Sequence, residues 1–366
     1  MTTRFENGRI YTLEREGEWF SSMDVDENGI IHALRSPGAQ EGGPCARKGG
    51  AEAPAGDADG NIRTVDLSGA AVVPGFVDSH LHLMPAVASA SMGVVLSRPE
   101  GSRLVPDSLE GVGGLLREQA EGTGRGPVIG FGCCVGALRE RRLPTGAELD
   151  AWVPGRPVIV FSLDGHSSAY SENAARILGI ESMADNGVLT GEAHEFNLGK
   201  AISLIMKSLT PAHIARGFSA VMREAVGNGI VSLHCLEGFD DTRFDLSTFL
   251  VTRIGPRLPL ALRLYLQYTD IGRVDRYARF VRNQRAGGCI AWEMDGSISS
   301  RSAAFYDNYL DRDHPGKLYR TPEEAEALIR PFADRGSQTA VHAIGPRAIE
   351  YVLSAYEKIL GKGSAY

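Results

Sequence analysis

Val72-Val73-Pro74-Gly75-Phe76-Val77-Asp78-Ser79-His80-Leu81-His82 is the stretch on which the reading of this chain turns. The run is apolar, breaks at Pro74-Gly75, resumes at Phe76, and predicts a buried strand ending in two histidines. Side chains on a strand alternate between faces, so His80 and His82 point the same way. Two imidazoles on one face at the C-terminal end of a strand supply half of a metal site. Asp78 and Ser79 precede the pair in an otherwise apolar run. Unpaired polar groups are costly on a buried strand, which favours ligands over ordinary strand-end histidines.

Outward from this motif, the chain after Gly229 alternates regularly. Strands are expected at Gly229–His234, Leu262–Gln267, Cys289–Asp295 and Gln338–His342, and helices at 241–252, 275–284, 322–335 and 347–359. Apolar strands alternating with helices predict a parallel sheet covered by helices. His82, His234, Asp295 and His342 fall at C-terminal strand ends, the rim on which a (β/α)8 barrel carries its active site. Before the motif, Gly8–Leu13, Trp19–Val25 and Ile30–Leu34 read as short antiparallel strands. Residues 36–60, rich in Gly, Ala and Pro, read as a mobile surface loop. After it come helices over 108–122, 171–178 and 211–226, the last capped by Thr210, and apolar strands at 127–132 and 157–161.

The 366 residues carry a net charge of -7, with 43% hydrophobic and 23% charged residues. That suits one large α/β domain with a smaller one. An acidic chain without a basic stripe is a poor partner for nucleic acid. No apolar run approaches the roughly 20 residues that span a bilayer, and the charged N-terminus lacks a signal-peptide core. Five cysteines without a Cys-x-x-Cys pair read as reduced thiols in a cytoplasmic protein. No Gly-x-Gly-x-x-Gly follows a strand, which argues against a nicotinamide enzyme.

The donors suited to a divalent metal are His80, His82, Glu293 and His342. Zinc accepts such nitrogens and carboxylate oxygens and, when catalytic, keeps a position open for water. Glu293 and Asp295 alternate with Ala291 on one strand face, where two acids are costly without a cation; helix capping or pairing with Arg301 is the bland alternative. Asp295 opens Asp295-Gly296-Ser297-Ile298-Ser299-Ser300-Arg301-Ser302, suited equally to a substrate carbonyl or carboxylate and to an Asx turn with a surface arginine. His166, on a loop after a strand, reads equally as a substrate contact and as an exposed residue. His194 and His234 read as structural, and His32, His213 and His314 as solvent-facing.

Together these segments resemble the amidohydrolase superfamily, in particular its family 3, the YtcJ-like branch. Pro74-Gly75-Phe76-Val77-Asp78-Ser79-His80-Leu81-His82 is similar to its first-strand metal motif, and Leu163-Asp164-Gly165-His166 with Asn173 to its substrate loop. Gly229–His234 resembles its second-strand segment, Asp295-Gly296-Ser297 with Ser299–Ala303 the segment after strand four, and His342-Ala343-Ile344-Gly345 its fifth-strand motif. The resemblance implies an α/β fold: an incomplete (β/α)8 TIM-like barrel with a small N-terminal β-sandwich and an insertion after barrel strand 1. The expected parts are 1–70 for the sandwich, 71–94 for the first barrel strand, 95–205 for the insertion and 206–366 for barrel strands 2–5.

It further implies a metal-dependent hydrolase of carbon–nitrogen bonds other than peptide bonds. Zinc, as one or two ions, would be held by His80, His82, Glu293 and His342. Asp295 would be the catalytic carboxylate, and His166, Arg301 and Ser302 would meet a small-molecule substrate. Two departures stand out. The lysine that commonly bridges two metals falls at Ala291, and Glu293 is expected to bridge instead. The sixth-strand histidine and eighth-strand aspartate of the family have no counterpart before Tyr366. The expectation is therefore a truncated chain, or one completed by a second polypeptide or a homo-oligomer. The alternative is a non-catalytic, half-enzyme scaffold.

Overall fold

A computed structural model describes residues 1–38, 62–124, 126–182, 185–239, 245–280 and 285–361. The chain forms two compact units, Met1–Phe76 and Val77–Tyr366. The first contains a four-stranded sheet, in which Thr2–Glu6 lies between Ser22–Val25 and Ile62–Asp66 and Ile31–Arg35 forms the far edge, and a two-stranded ribbon of Arg9–Ile10 and Ala71–Val72. Its buried Asp24 accepts hydrogen bonds from Arg4 Nε (2.9 Å) and Arg35 Nη2 (2.6 Å). Most of the expected loop at 36–60 lies outside the described residues.

The second unit is built around one curled sheet of five strands: β1 (Phe76–Leu81), β2 (Ile230–Glu237), β3 (Ala261–Leu266), β4 (Arg285–Glu293) and β5 (Gln338–His342), hydrogen-bonded in that spatial order. The pairs β2/β3, β3/β4 and β4/β5 are parallel. Helices α1 (Leu83–Met92), α2 (Gly191–Ser208), α3 (Pro211–Gly227), α4 (Leu246–Ile254), α5 (Ile271–Ala278), α6 (Pro322–Ala333) and α7 (Pro346–Leu360) accompany it. This is the strand–helix arrangement of the first part of a (β/α)8 barrel.

Two expectations about this sheet change. β1 was expected to be buried, yet Phe76 and Val77 are more than half exposed, because β1 is an edge strand of the described sheet. In β3 burial is confined to the C-terminal half, and in β2 it begins at Leu233, the fourth of eight residues, and is densest toward the C-terminal end, on the side where the histidines gather. Helices α4 and α5 begin at Leu246 and Ile271, where the side chains of the N-caps Asp245 and Asp270 accept from Thr248 N and Arg273 N, a preferred use of aspartate. The first residues expected for α4 and the last for α5 lie outside the described residues.

Between β1 and α2 the chain builds a second sheet. Val94–Val95, Val128–Cys133, Val158–Ser162, Ser167–Tyr170 and Val188–Thr190 pair in sequence order over a separate apolar cluster that includes Leu96, Val112, Leu116 and Leu149. Helix α1, which carries the chain away from His82, packs on α3 at Gly217. A Cβ at that glycine would stand 2.3 Å from the Val87 carbonyl oxygen, so only glycine allows this approach. No helix among the described residues is long and apolar enough to cross a membrane.

Candidate metal centre and cavity

A cavity of about 850 Å³ opens over the C-terminal ends of the curled sheet, and His80, His82, His166, Glu195, Cys289, Glu293 and His342 border it. These side chains come from β1, β4, β5, α2 and the loop before Ser167, so the topology gathers donors far apart in the chain.

Directly after β1, the His82 Nδ1 lies 2.9 Å from the Leu236 carbonyl oxygen. A carbonyl accepts only, so Nδ1 carries the proton and Nε2 is left as a lone-pair donor, the orientation that outer partners impose on metal-ligating histidines. The His80 and His82 rings lie 5.3 Å apart edge to face. Burial drives the pKa of His82 down to about 4 and also lowers that of His80, with Asp78 opposing the shift at His80. Burial takes His342 down to about 4 as well. All three are therefore neutral imidazoles at neutral pH, the form that binds metal.

The β4 strand is not regular. Its pairing with β5 jumps from Gly288↔Val341 to Glu293↔His342, leaving residues 289–292 as a bulge. Ile290, a β-branched residue, sits there at φ 61°, a strained conformation. The buried Gln267 side chain accepts from Cys289 N at 2.6 Å, and Glu293 Oε1 accepts from Ile290 N at 2.9 Å. The bulge points the Cys289 thiol at the histidines: Sγ is 3.5 Å from His80 Nε2 and 3.7 Å from His342 Nδ1. Simple alternation puts Cys289 on the same face as Glu293, and both border the cavity even though a bulge interrupts the pairing between them.

Two sets of donors result. Ligating atoms of His80, His82 and Cys289 lie within 4.8 Å of one another, and so do those of His166, Glu293 and His342. Glu293 Oε2 and His342 Nε2 are buried and have no hydrogen-bond partner among the described residues. Burial and the neighbouring Glu195 carboxylate push the Glu293 carboxyl up. Two carboxylates in one buried place need a proton or a cation between them. The orphaned atoms, the fixed His82 tautomer and the nitrogen, oxygen and sulfur donors of these two sets all fit a divalent metal.

His166, expected against substrate, borders the cavity 5.1 Å from the His342 ring. Its Nδ1 is 2.7 Å from Glu195 Oε1. Burial alone would lower its pKa, but the hydrogen bond and charge of Glu195 raise it. Glu195 and Cys289 are the two cavity groups that the sequence reading passed over. Gly287-Gly288 directly before Cys289 is a bulge signal, and Glu195 lies in a run of α2 where His194, Glu195 and Asn197 are all buried, an unusual face for a helix to hide. His194 is structural, as expected: Nδ1 lies 2.7 Å from Ser168 Oγ and Nε2 2.7 Å from the Gly165 carbonyl oxygen.

Three expected site residues are placed elsewhere. Asp295 is fully buried and does not border the cavity; its Oδ2 accepts from Ala304 N and Gly345 N, both at 2.7 Å, and its Oδ1 accepts from Ile344 N at 2.9 Å. Both oxygens accept backbone N–H bonds, and the carboxylate ties the loops after β4 and β5 together. Arg301 forms a bidentate pair with Asp311 (2.9 and 2.7 Å) on the surface, the bland alternative for that loop. Ser302 Oγ accepts from Ser297 N at 3.0 Å and stabilises the same turn. The residue of this region that reaches the cavity is Asp164. Burial raises its pKa, but hydroxyls from Ser162, Ser299 and Ser297 and the His166 amide outweigh that and hold it at about 2.

A model described as "Amidohydrolase family" matches residues 63–364. The chain is 25% identical over 375 residues to the putative amidohydrolase YtcJ of Bacillus subtilis (strain 168), covering 98% of this chain and 66% of that protein. It is 24% identical over 328 residues to N-substituted formamide deformylase of Arthrobacter pascens, covering 83% and 59%. The chain thus spans between about half and two thirds of the length of these curated relatives. A crystal structure of an uncharacterized metal-dependent hydrolase from Pyrococcus horikoshii OT3 shares the fold, with a TM-score of 0.63 at 22% identity over 98% of this chain and 68% of that one.

Proposed function

The chain belongs to the amidohydrolase family, and on that premise we propose that it serves a metal-dependent hydrolase of carbon–nitrogen bonds other than peptide bonds. The observation that carries the reading is the convergence of His80, His82, Glu293 and His342 on one cavity, with Glu293 Oε2 and His342 Nε2 buried and unpartnered. Zinc is the metal proposed, since imidazole and carboxylate donors suit it. A bound divalent ion would supply Lewis acidity and bring a water's pKa to around 7.

The chain's own residues do the rest. Leu236 fixes the ring of His82 by its carbonyl. Glu195 orients His166 and favours its protonated form, so His166 is placed to give a proton to the departing nitrogen, the general-acid role. Phe131, Phe161, Leu163, Leu198, Ile202 and Phe239 make the walls apolar, and among the described residues no lysine or arginine borders the cavity. Such walls exclude water and suit a neutral substrate with an apolar substituent; a substrate carboxylate would be buried without a cation, at high cost. The substrate class proposed is therefore neutral N-acyl or N-formyl amines, in keeping with the name of the Arthrobacter relative. A cytoplasmic location is proposed alongside, in line with the free thiols of Cys133, Cys134, Cys235 and Cys289.

The test is release of amine from a panel of N-formyl and N-acetyl aryl- and alkylamines by the full chain. Turnover is expected to vanish on chelation, return with zinc, and fall at least about tenfold for N-acyl amino acids, the cost of roughly 1.4 kcal/mol or more for an unpaired buried charge. Activity that survives complete removal of metal, or zinc binding without turnover of any amide, would contradict the reading.

A further inference from the structure

We propose that Cys289, as its thiolate, is a ligand of this metal centre, shared between the histidine pair of β1 and His342 of β5. The inference rests on the reading that the cavity holds a divalent metal, and adds a donor that the histidine and carboxylate motifs do not announce.

The position of the sulfur is the first argument. Sγ is 3.5 Å from His80 Nε2 and 3.7 Å from His342 Nδ1, and it stands with His80 and His82 in a set whose donor atoms are all within 4.8 Å of one another. Cys289 is thus the residue that touches both donor sets. The surroundings are the second. A buried cysteine is most often a small apolar filler, and Cys235, fully buried within the main apolar cluster, fits that description. Cys289, only 8% exposed, packs on one side against Leu236 and Tyr265 but also faces imidazoles and borders the cavity. The third argument is independent of the thiol: Glu293 is 3% exposed, and its Oε2, like His342 Nε2, is buried without a partner among the described residues. An acceptor oxygen and a ring nitrogen left bare beside a thiol and two further imidazoles lack an electrophile. Finally, Gly288 takes φ 138°, and a Cβ there would meet Gln267 Oε1 at 2.6 Å, the oxygen that accepts from Cys289 N. Glycine at this position and the left-handed Ile290 that follows let the chain turn the thiol inward.

Ligation breaks the S–H bond, forms a sulfur–metal bond and releases the proton to solvent, so uptake of metal is accompanied by proton release. A thiolate among imidazoles shifts preference toward zinc and cobalt(II) and away from magnesium and manganese.

The test uses the full chain, stripped of metal and titrated with cobalt(II). The expected result is a thiolate-to-cobalt charge-transfer band in the near ultraviolet that saturates with binding. It should be lost in Cys289→Ser and kept in Cys133→Ser, whose thiol belongs to the second sheet. Zinc affinity of Cys289→Ser should fall at least about tenfold, as even outer partners of a metal site are worth 10- to 100-fold. A second measurement needs no variant: iodoacetamide labelling of Cys289, read by peptide mass spectrometry, should be suppressed by zinc. Cobalt that binds without the band, a band that survives Cys289→Ser, or labelling of Cys289 unchanged by zinc would overturn the assignment while leaving the metal site in place. Absence of any cobalt binding would remove both.

Discussion

His82→Ala is expected to lower zinc affinity by more than about 100-fold and to abolish zinc-dependent turnover, with little loss of fold. Outer partners of metal sites already contribute about 10- to 100-fold, and His82 is proposed as a direct ligand whose tautomer is set by the Leu236 carbonyl 2.9 Å away. It follows β1 on the rim of the cavity and takes no part in the helix core that begins with the buried Leu83 and Met84. Elemental analysis after dialysis against buffered zinc, with circular dichroism as a check on folding, reads both halves of the expectation. Stoichiometric zinc retained by the folded variant would remove His82 from the ligand set.

Asp295→Ala is expected to act through stability. The carboxylate accepts three backbone N–H bonds, from Ala304, Ile344 and Gly345 at 2.7, 2.9 and 2.7 Å. Alanine would leave three donors unsatisfied, those of Ala304 and Gly345 buried and that of Ile344 partly buried, at about 1–3 kcal/mol for each buried one. A total of about 2–6 kcal/mol from the two buried donors is a large share of the roughly 5–15 kcal/mol that holds a typical domain. Asp295→Asn should cost less. One side-chain oxygen can still serve Ala304 and Gly345, while the amide meets the Ile344 N–H donor to donor. Urea unfolding midpoints should therefore rank wild type above asparagine above alanine. If Asp295 instead handled the reacting water, the asparagine variant would keep its full midpoint and lose turnover.

Asp295 also marks where the sequence leaves two readings open. An acid at a strand end beside histidines carries the same pattern whether it faces a substrate or clasps two loops; the three amides that decide the matter come from residues 9, 49 and 50 positions away. The β1 pair and His342 were legible because strand alternation is local and polar groups at the ends of apolar strands stand out. On β4 alternation groups Cys289, Ala291, Glu293 and Asp295 on one face; Cys289 and Glu293 border the cavity, whereas Ala291 and Asp295 do not, so a shared face does not by itself identify the residues of a site. Glu195 was hidden for another reason: its partner His166 is 29 residues away on a different element. In the first unit, Thr2–Glu6 escaped notice because Thr-Thr-Arg-Phe-Glu lacks an apolar face, yet it is a central strand whose Arg4 meets Asp24. The parallel sheet and its helices were readable from Gly229 onward because hydrophobic rhythm records them; helix starts at Asp245 and Asp270 are fixed by caps, a weaker signal than periodicity.

The central claim is that donors from separate strands meet around one cation centre. Anomalous diffraction at the zinc edge, from crystals of the full chain grown with zinc, tests it most directly. The account predicts a peak at about 2.0–2.1 Å from nitrogens of His80 or His82, with His342 and Glu293 in the same coordination group or around an adjoining ion. A zinc peak bound elsewhere, with His342 and the β1 histidines making no contact to it, would contradict the account.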